Sequence, residues 1–346
     1  MYPVAEALSQ PWFTAAMRAA YTVDLIVVPM HIDPQSTPEM QQIFAAIRQV
    51  HPFLPLVFPS GHRHKLVFEQ LDANALTIES GKYFETIGIV RFRLSAQRQM
   101  LDVQHQWLPT SRSNFYKLTG TTAREFLTPR GLDIKSKLHA YSDLLHLNVT
   151  LGCSPRFYDP DLPLVFADSL YALYVEHIVP DVVFQPHPAD NATQFFLTNS
   201  ASLRYYLYAG RVTVNDVWTI SPFKNAFFYY PGLSGQMLSA LLAHLTAKVS
   251  HSRAYGHNVR FESDFARERR ERNPPPYYYS RIAIEPASLY DLVLADYDAQ
   301  TLQPILEQLF PTYDSSYHQY PTPFTSTSAL AEYIRTSLPC STLCPC

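Results

Sequence analysis

Ser60-Gly61-His62-Arg63-His64 sets two imidazoles two residues apart, directly after the apolar run Leu54 to Phe58. Neutral imidazole is a common ligand of zinc and other divalent ions, so this spacing offers two nitrogens to one centre. A third histidine, His31, stands two residues beyond Pro29, which closes a second apolar run starting at Val23. A short apolar run closed by proline reads as a strand buried on both faces. All three histidines then lie on loops at the carboxyl ends of strands. Between the two runs, Thr37 is set to cap a helix with Pro38 at its first position, Glu39 in its first turn, and Met40, Ile43, Phe44 and Ile47 on its apolar stripe. Such a strand, helix, strand unit joins parallel strands by a right-handed crossover, so His31, His62 and His64 are expected to converge at one sheet edge. With thirteen histidines in the chain, any single loop histidine is more often a solvated side chain. Three at strand ends on one edge favour a metal site.

The 346 residues are long for one domain and comfortable for two, and 47% of them are hydrophobic, enough to build cores. A net charge of -3 gives no electrostatic reason to expect nucleic acid or an anionic membrane, so a small-molecule partner is expected. No window approaches the eighteen apolar residues of a membrane span. Met1 to Glu6 lacks both the basic region and the apolar core of a signal peptide, and localisation stays open between a secretory route and the cytosol. Of the four cysteines, Cys153 stands alone and Cys340, Cys344 and Cys346 crowd the end. That distribution reads as a flexible tail rather than a disulfide framework.

Gln10 to Tyr21 carries Trp12, Phe13, Ala16, Met17 and Ala20 at helical spacing. Lys65 to Gln70 and Ala75 to Glu79 read as hairpin strands, and Ile87 to Leu94 as a further antiparallel addition to the same sheet. Gln97 to Arg130 reads as polar and irregular, and Asp133 to Leu151 as a long helix stopped by Gly152. The turn-rich stretch from Ser154 to Pro163 then suggests three parts: residues 1–132, a helical linker over 133–154, and a second domain over 155–346. In the last part, Val165 to Ile178 looks helical and Gln194 to Leu197 looks like a strand followed by the polar loop Asn199 to Arg204. Gly235 to Leu245 reads as a core-facing helix capped by Ser234.

The run from Asn199 through Asn225, which includes Ser221-Pro222-Phe223-Lys224-Asn225, gives the pattern a name. Together with His31, Gly61-His62-Arg63-His64 and Glu79-Ser80-Gly81-Lys82-Tyr83-Phe84-Glu85-Thr86-Ile87-Gly88, it resembles the 5'-nucleotidase family, and the fungal branch in particular. That family joins a calcineurin-like metallophosphoesterase domain to a C-terminal 5'-nucleotidase domain. The resemblance implies an α/β fold, with a partial layered metallophosphoesterase sheet followed by an α+β 5'-nucleotidase C-terminal domain. It implies divalent metal, zinc or manganese, on His31, His62 and His64. It also implies substrate contacts from Asn199 and Arg204, which match the family's Asn-x-Gly-x-x-Arg loop, and from Phe223, whose counterpart stacks on the nucleobase. A second aromatic opposite Phe223 is expected, with Tyr297 a loose candidate.

The departures bear on activity. No glycine is followed by Asp, no Asn by His, and Asp-x-His occurs nowhere, so the family's bridging carboxylate and catalytic histidine have no counterparts here. The chain reads as one without the first part of its catalytic domain, and no catalytic residue is assigned. Ala201 also replaces a frequent glycine of the substrate loop. Two functional readings follow: metal-dependent hydrolysis of a nucleotide or other phosphomonoester, or nucleotide binding without turnover. For the substrate residues the plainer alternative is that Asn199 shapes a turn, Arg204 pairs with Asp216 and Phe223 fills a core.

Two further signals stand apart. Arg267 to Tyr279 mixes arginines, glutamates, prolines and tyrosines, which fits a solvated or polyproline insert better than a nucleic-acid patch. Asn148-Val149-Thr150 and Asn191-Ala192-Thr193 are glycosylation sequons that point to a secretory route without establishing it.

Overall fold

A computed structural model describes residues 3–34, 37–185, 192–252 and 277–340. The chain divides into two compact units, Met1–Ile134 and Lys135–Cys346.

The first unit opens with α1 (Val4–Ser9) and α2 (Pro11–Ala19), then β1 (Ile26–Val27), α3 (Pro38–Val50), β2 (Leu56–Ser60), β3 (Leu66–Asp72) and β4 (Ala75–Ser80). The sheet order is β1-β2-β4-β3; β1, β2 and β4 run parallel, and β3 is antiparallel to β4. The crossover expected between β1 and β2 is α3. Its start follows from chemistry: Met40 N–H donates to Thr37 Oγ1 at 3.3 Å, and Pro38 occupies the first turn, where its missing N–H costs nothing. Met40 and Ile47 pack from α3 onto Leu56 and Phe58, with Met17 of α2 completing the cluster. The strand expected over Ile87 to Leu94 forms as β5 (Thr86–Leu94), but it pairs with β6 (Met100–Pro109) in a separate two-stranded ribbon rather than extending the main sheet. The stretch read as irregular therefore holds a strand, and after it α4 (Arg112–Thr119), capped by Ser111 and closed by Gly120 in a left-handed conformation.

Across the boundary between the units, α5 runs over Pro129–Leu144, shorter than the helix read to Leu151. Residues Thr150–Ser154 instead form β7. Gly152 is not a helix stop. A Cβ there would collide with the carbonyl oxygens of Leu338 and Ile334, so glycine lets β7 press against the end of the last helix, Ser326–Ser337. The Cys153 N–H donates to Leu338 O at 2.8 Å, and both Cys153 and Cys340 are disulfide-bonded. This corrects the reading of the C-terminal cysteines as a flexible tail. Cys344 and Cys346 lie outside the described residues.

The helix read from Val165 starts later, as α6 (Leu170–Leu173), and widens into a π-helical stretch over Tyr174–Val183 that contains Pro180. Next come β8 (Thr193–Asn199), β9 (Gly210–Thr213), α7 (Val214–Ile220), β10 (Phe227–Ser234), α8 (Gly235–Ser252), β11 (Tyr277–Tyr279), β12 (Leu289–Ala295), the helix Asp296–Leu309 and β13 (His318–Gln319). As expected, Ser234 Oγ accepts from Met237 N–H at 3.3 Å. The five-stranded sheet has the order β11-β8-β12-β10-β13, with β8 and β12 parallel. Period-two alternation builds a core on each face. Phe196 and Val293 join one cluster with α6 and the last helix, while Phe195, Leu197, Leu292 and Leu294 join the other with Leu238, Leu241 and Leu302. Tyr277–Tyr279, read as part of an insert, is an edge strand antiparallel to β8. Arg267 to Pro276 and the Asn191 sequon lie outside the described residues.

Candidate functional site

In the first unit the strand ends bring two of the three histidines together. Met30 N–H donates to Pro59 O at 2.9 Å, which carries the β1 and β2 pairing past the strands and sets His31 beside the start of the next loop. Gly61 permits the approach, because a Cβ there would lie 3.3 Å from His31 Nδ1. The His31 and His62 rings meet edge to face with centroids 5.3 Å apart. Two imidazoles on one tetrahedral cation, with bonds of roughly 2 Å, take about that spacing. Arg63 pairs with Asp33 at 3.4 Å and ties the two loops to each other. The His64 ring lies against Tyr83, their centroids 5.7 Å apart. Among the described residues, no group of three His, Cys, Asp or Glu side chains is placed to hold a metal ion. The described residues therefore do not fit a two-metal centre.

The backbone here is unusual for its residue types. His62 has φ of 100° and His64 of 58°, and Tyr83 and Phe84 follow at 52° and 60°. Non-glycine residues in the left-handed region persist only where surroundings over-determine them, and they cluster at sites with a function. Beneath the histidine loop is a residue whose role the sequence did not signal. Glu79 of β4 stands in register between Ser60 at the end of β2 and Val67 of β3, so the loop joining those strands passes over it. Its side chain is fully buried and neither carboxylate oxygen makes a well-formed hydrogen bond. Burial raises its pKa; the backbone N–H groups of His64, Lys65 and Arg63, aimed at the carboxylate, pull it back. Successive amides around residues of positive φ form the concave nest that holds an anion.

In the second unit, β8 delivers Asn199 and the loop after it. The Asn199 amide is committed on both sides: Nδ2 donates to Asp298 Oδ1 at 2.8 Å, and Oδ1 accepts from Ala201 N–H at 2.8 Å. Asn199 thus shapes the turn, as the plainer reading held. Asp298 is fully buried in the first turn of the helix Asp296–Leu309, and its Oδ2 also accepts from Asn199 N–H and Thr198 Oγ1, each at 3.3 Å. Burial raises its pKa, with the Asn199 and Thr198 hydrogen bonds opposing. On the far side of the loop, the buried Tyr171 hydroxyl donates to Asn199 O at 3.2 Å and accepts from Leu203 N–H at 3.0 Å.

Arg204 follows directly, its N–H on Ile220 O at 2.7 Å. Its guanidinium does not pair with Asp216, which is spent on the capping box of α7 with Thr213. It lies instead over the Phe223 ring, 5.0 Å from the centroid, and its Nε has no hydrogen-bond partner. Nor does Phe223 fill a core, being 41% exposed. Its backbone is fixed all the same: Ser326 and Thr327 hydroxyls at the start of the last helix donate to Phe223 O at 2.5 and 2.8 Å. Tyr297 is 63% exposed, and among the described residues no ring contact joins it to Phe223.

Residues 161–286 match the family described as NAD nucleotidase, C-terminal domain. The chain is similar to an uncharacterised protein of Schizosaccharomyces pombe, 25% identical over 255 residues, a match covering 66% of this chain and 42% of that protein. In fold it is similar to the crystal structure of 5'-nucleotidase from Candida albicans, with a TM-score of 0.76 at 19% identity, covering 97% of this chain and 68% of that one. The 5'-nucleotidase precursor of Thermus thermophilus gives 0.57 at 14% identity, covering 96% and 66%. The mixed α/β architecture with several sheets is that of these 5'-nucleotidases, and the chain spans about two-fifths of the length of the curated relative it matches.

Proposed function

We propose that this chain, which has the fold of 5'-nucleotidases and carries an NAD nucleotidase C-terminal type of domain, is the nucleotide-recognising part of a phosphomonoesterase. One observation carries the reading: the Arg204 guanidinium lies over one face of a Phe223 ring that is still 41% exposed. A base stacks on the open face of Phe223, an interaction worth roughly 1–3 kcal/mol per base. Arg204 keeps planar N–H donors for the phosphate or sugar oxygens. Asn199 acts through the loop it shapes rather than by touching the ligand.

Calorimetry on the full chain with millimolar AMP, UMP and adenosine tests this. Weak binding is expected, reduced at least tenfold, or about 1.4 kcal/mol, by Phe223→Ala. Arg204→Ala is expected to weaken AMP more than adenosine. No heat with any of the three, or binding untouched by both substitutions, removes the proposal.

Hydrolysis of a nucleoside monophosphate belongs, on this reading, to the whole protein. A metal pair that activates water and neutralises phosphate oxygens needs a bridging carboxylate, and among the described residues no group of three His, Cys, Asp or Glu side chains is placed to hold a metal ion. Zinc or manganese titrated into the chain is expected to bind weakly, at no more than one ion, with loss of binding in His31→Ala and His62→Ala and little change in His64→Ala. Phosphate release from AMP with either metal is expected at background. Turnover that vanishes in His62→Ala would mean that the chain is itself the enzyme.

A further inference from the structure

We propose that Asn148 is an N-glycosylation site, filled in an oxidising compartment that also closes the disulfide at Cys153. The sequon Asn148-Val149-Thr150 is presented in a way that suits the modification. Asn148 is exposed in the turn after α5, and Thr150 opens β7, so the acceptor leads into extended chain. The inward side of this turn is held by the backbone: Leu147 O accepts from Asn215 N–H and Val149 O from Val214 N–H, both at 2.9 Å. The Asn148 side chain is left facing solvent. Around it lie exposed apolar side chains, Leu144 at 71%, Leu145 at 61% and Val149 at 49%, a surface that a branched sugar would cover.

A sequon alone recurs by chance, so the second observation matters. Cys153, five residues on, is disulfide-bonded. Cytosolic thiols are kept reduced, whereas disulfides persist in the secretory lumen and outside the cell, the compartments in which Asn-x-Thr is modified. In the transfer, Asn148 Nδ2 forms a bond to the anomeric carbon of a lipid-linked oligosaccharide. The bond from that carbon to the pyrophosphate breaks, the lipid pyrophosphate leaves with the electron pair, and the amide loses one proton to a base. The disulfide forms by exchange with an oxidised dithiol carrier, which takes up the two electrons and two protons of the two thiols.

The test uses the protein isolated from its own cells, with free thiols alkylated before denaturation and glycan removed by a peptide N-glycosidase in heavy-oxygen water. Asn148 is expected to appear as heavy-oxygen-labelled aspartate, and Cys153 to react with alkylating agent only after reduction. Unmodified Asn148 overturns the site, and Cys153 alkylated without reduction overturns the compartment. In the same cells, Asn148→Gln and Thr150→Ala should each remove the same glycan mass, while Thr150→Ser keeps it. A glycan mass unchanged in Asn148→Gln assigns the sugar elsewhere and also overturns the proposal.

Discussion

Asp298→Ala is expected to cost the second unit roughly 2–4 kcal/mol, because it strips the acceptor from three donors at once. Asn199 Nδ2, Asn199 N–H and Thr198 Oγ1 all end on this one buried carboxylate. Part of the loss is offset, since burial already penalises the charged form. The sign of that penalty makes a second check. Asp298 has its pKa raised above the usual 3.8 by burial, so its folded state resists ionisation that the unfolded chain accepts. The stability it confers is complete below pH 3.8 and declines as pH rises through the raised folded value. Urea denaturation across pH 3 to 7 should show that decline in the wild type and lack that component in Asp298→Ala. Asp298→Asn, which keeps one acceptor, should lose less stability than Asp298→Ala and show the same flattened pH dependence. Equal stability of wild type and Asp298→Ala at pH 7 would mean that the Asn199 loop is held without help from Asp298.

How much of this could be seen beforehand depended on range. The β1, α3, β2 unit was legible because its signals are local: Thr37 before Pro38, an apolar stripe, and two apolar runs closed by proline. The pairing of His31 with His62 followed from that topology. The turn of His64 toward Tyr83 did not, since it depends on positive φ at residues of both loops, which no residue type announces. Glu79 belongs to the Glu79 to Gly88 motif, but its place as the floor of the histidine loop comes from β2 and β3 flanking it, which its neighbours in sequence do not signal. The role of Gly152 is equally non-local. Its neighbour is the helix end at Ile334 and Leu338, nearly two hundred residues away, and a glycine after an amphipathic run looks like a helix stop. For Asn199 and Arg204 the sequence offered both a binding and a structural reading. Geometry divided them, committing the Asn199 amide to the loop and leaving Arg204 stacked on Phe223.

Cys153→Ser should lower stability by about 3 kcal/mol, within the roughly 2–5 kcal/mol typical of a lost native disulfide. With four cysteines in the chain, the intrachain partner of Cys153 is one of the three in the C-terminal segment, so the bond closes a loop of about 190 residues, long enough to restrict the unfolded chain strongly. In a unit of this size that loss corresponds to a Tm fall of roughly 6–12 °C. Calorimetric scans should show the fall in Cys153→Ser, and an equal fall on adding reductant to the wild type but not to the variant. The effect should also reach the ligand. β7 holds the end of the last helix through Cys153 N–H on Leu338 O, and the start of that helix clamps Phe223 through Ser326 and Thr327. Freeing one end of the helix loosens the support at the other. Nucleotide binding is therefore expected to weaken about threefold in Cys153→Ser, a loss of roughly 0.6 kcal/mol, and reductant should add nothing further. A wild-type Tm indifferent to reductant would show that no disulfide contributes to the fold, and an unchanged affinity in a destabilised Cys153→Ser would show that the last helix holds Phe223 without help from β7.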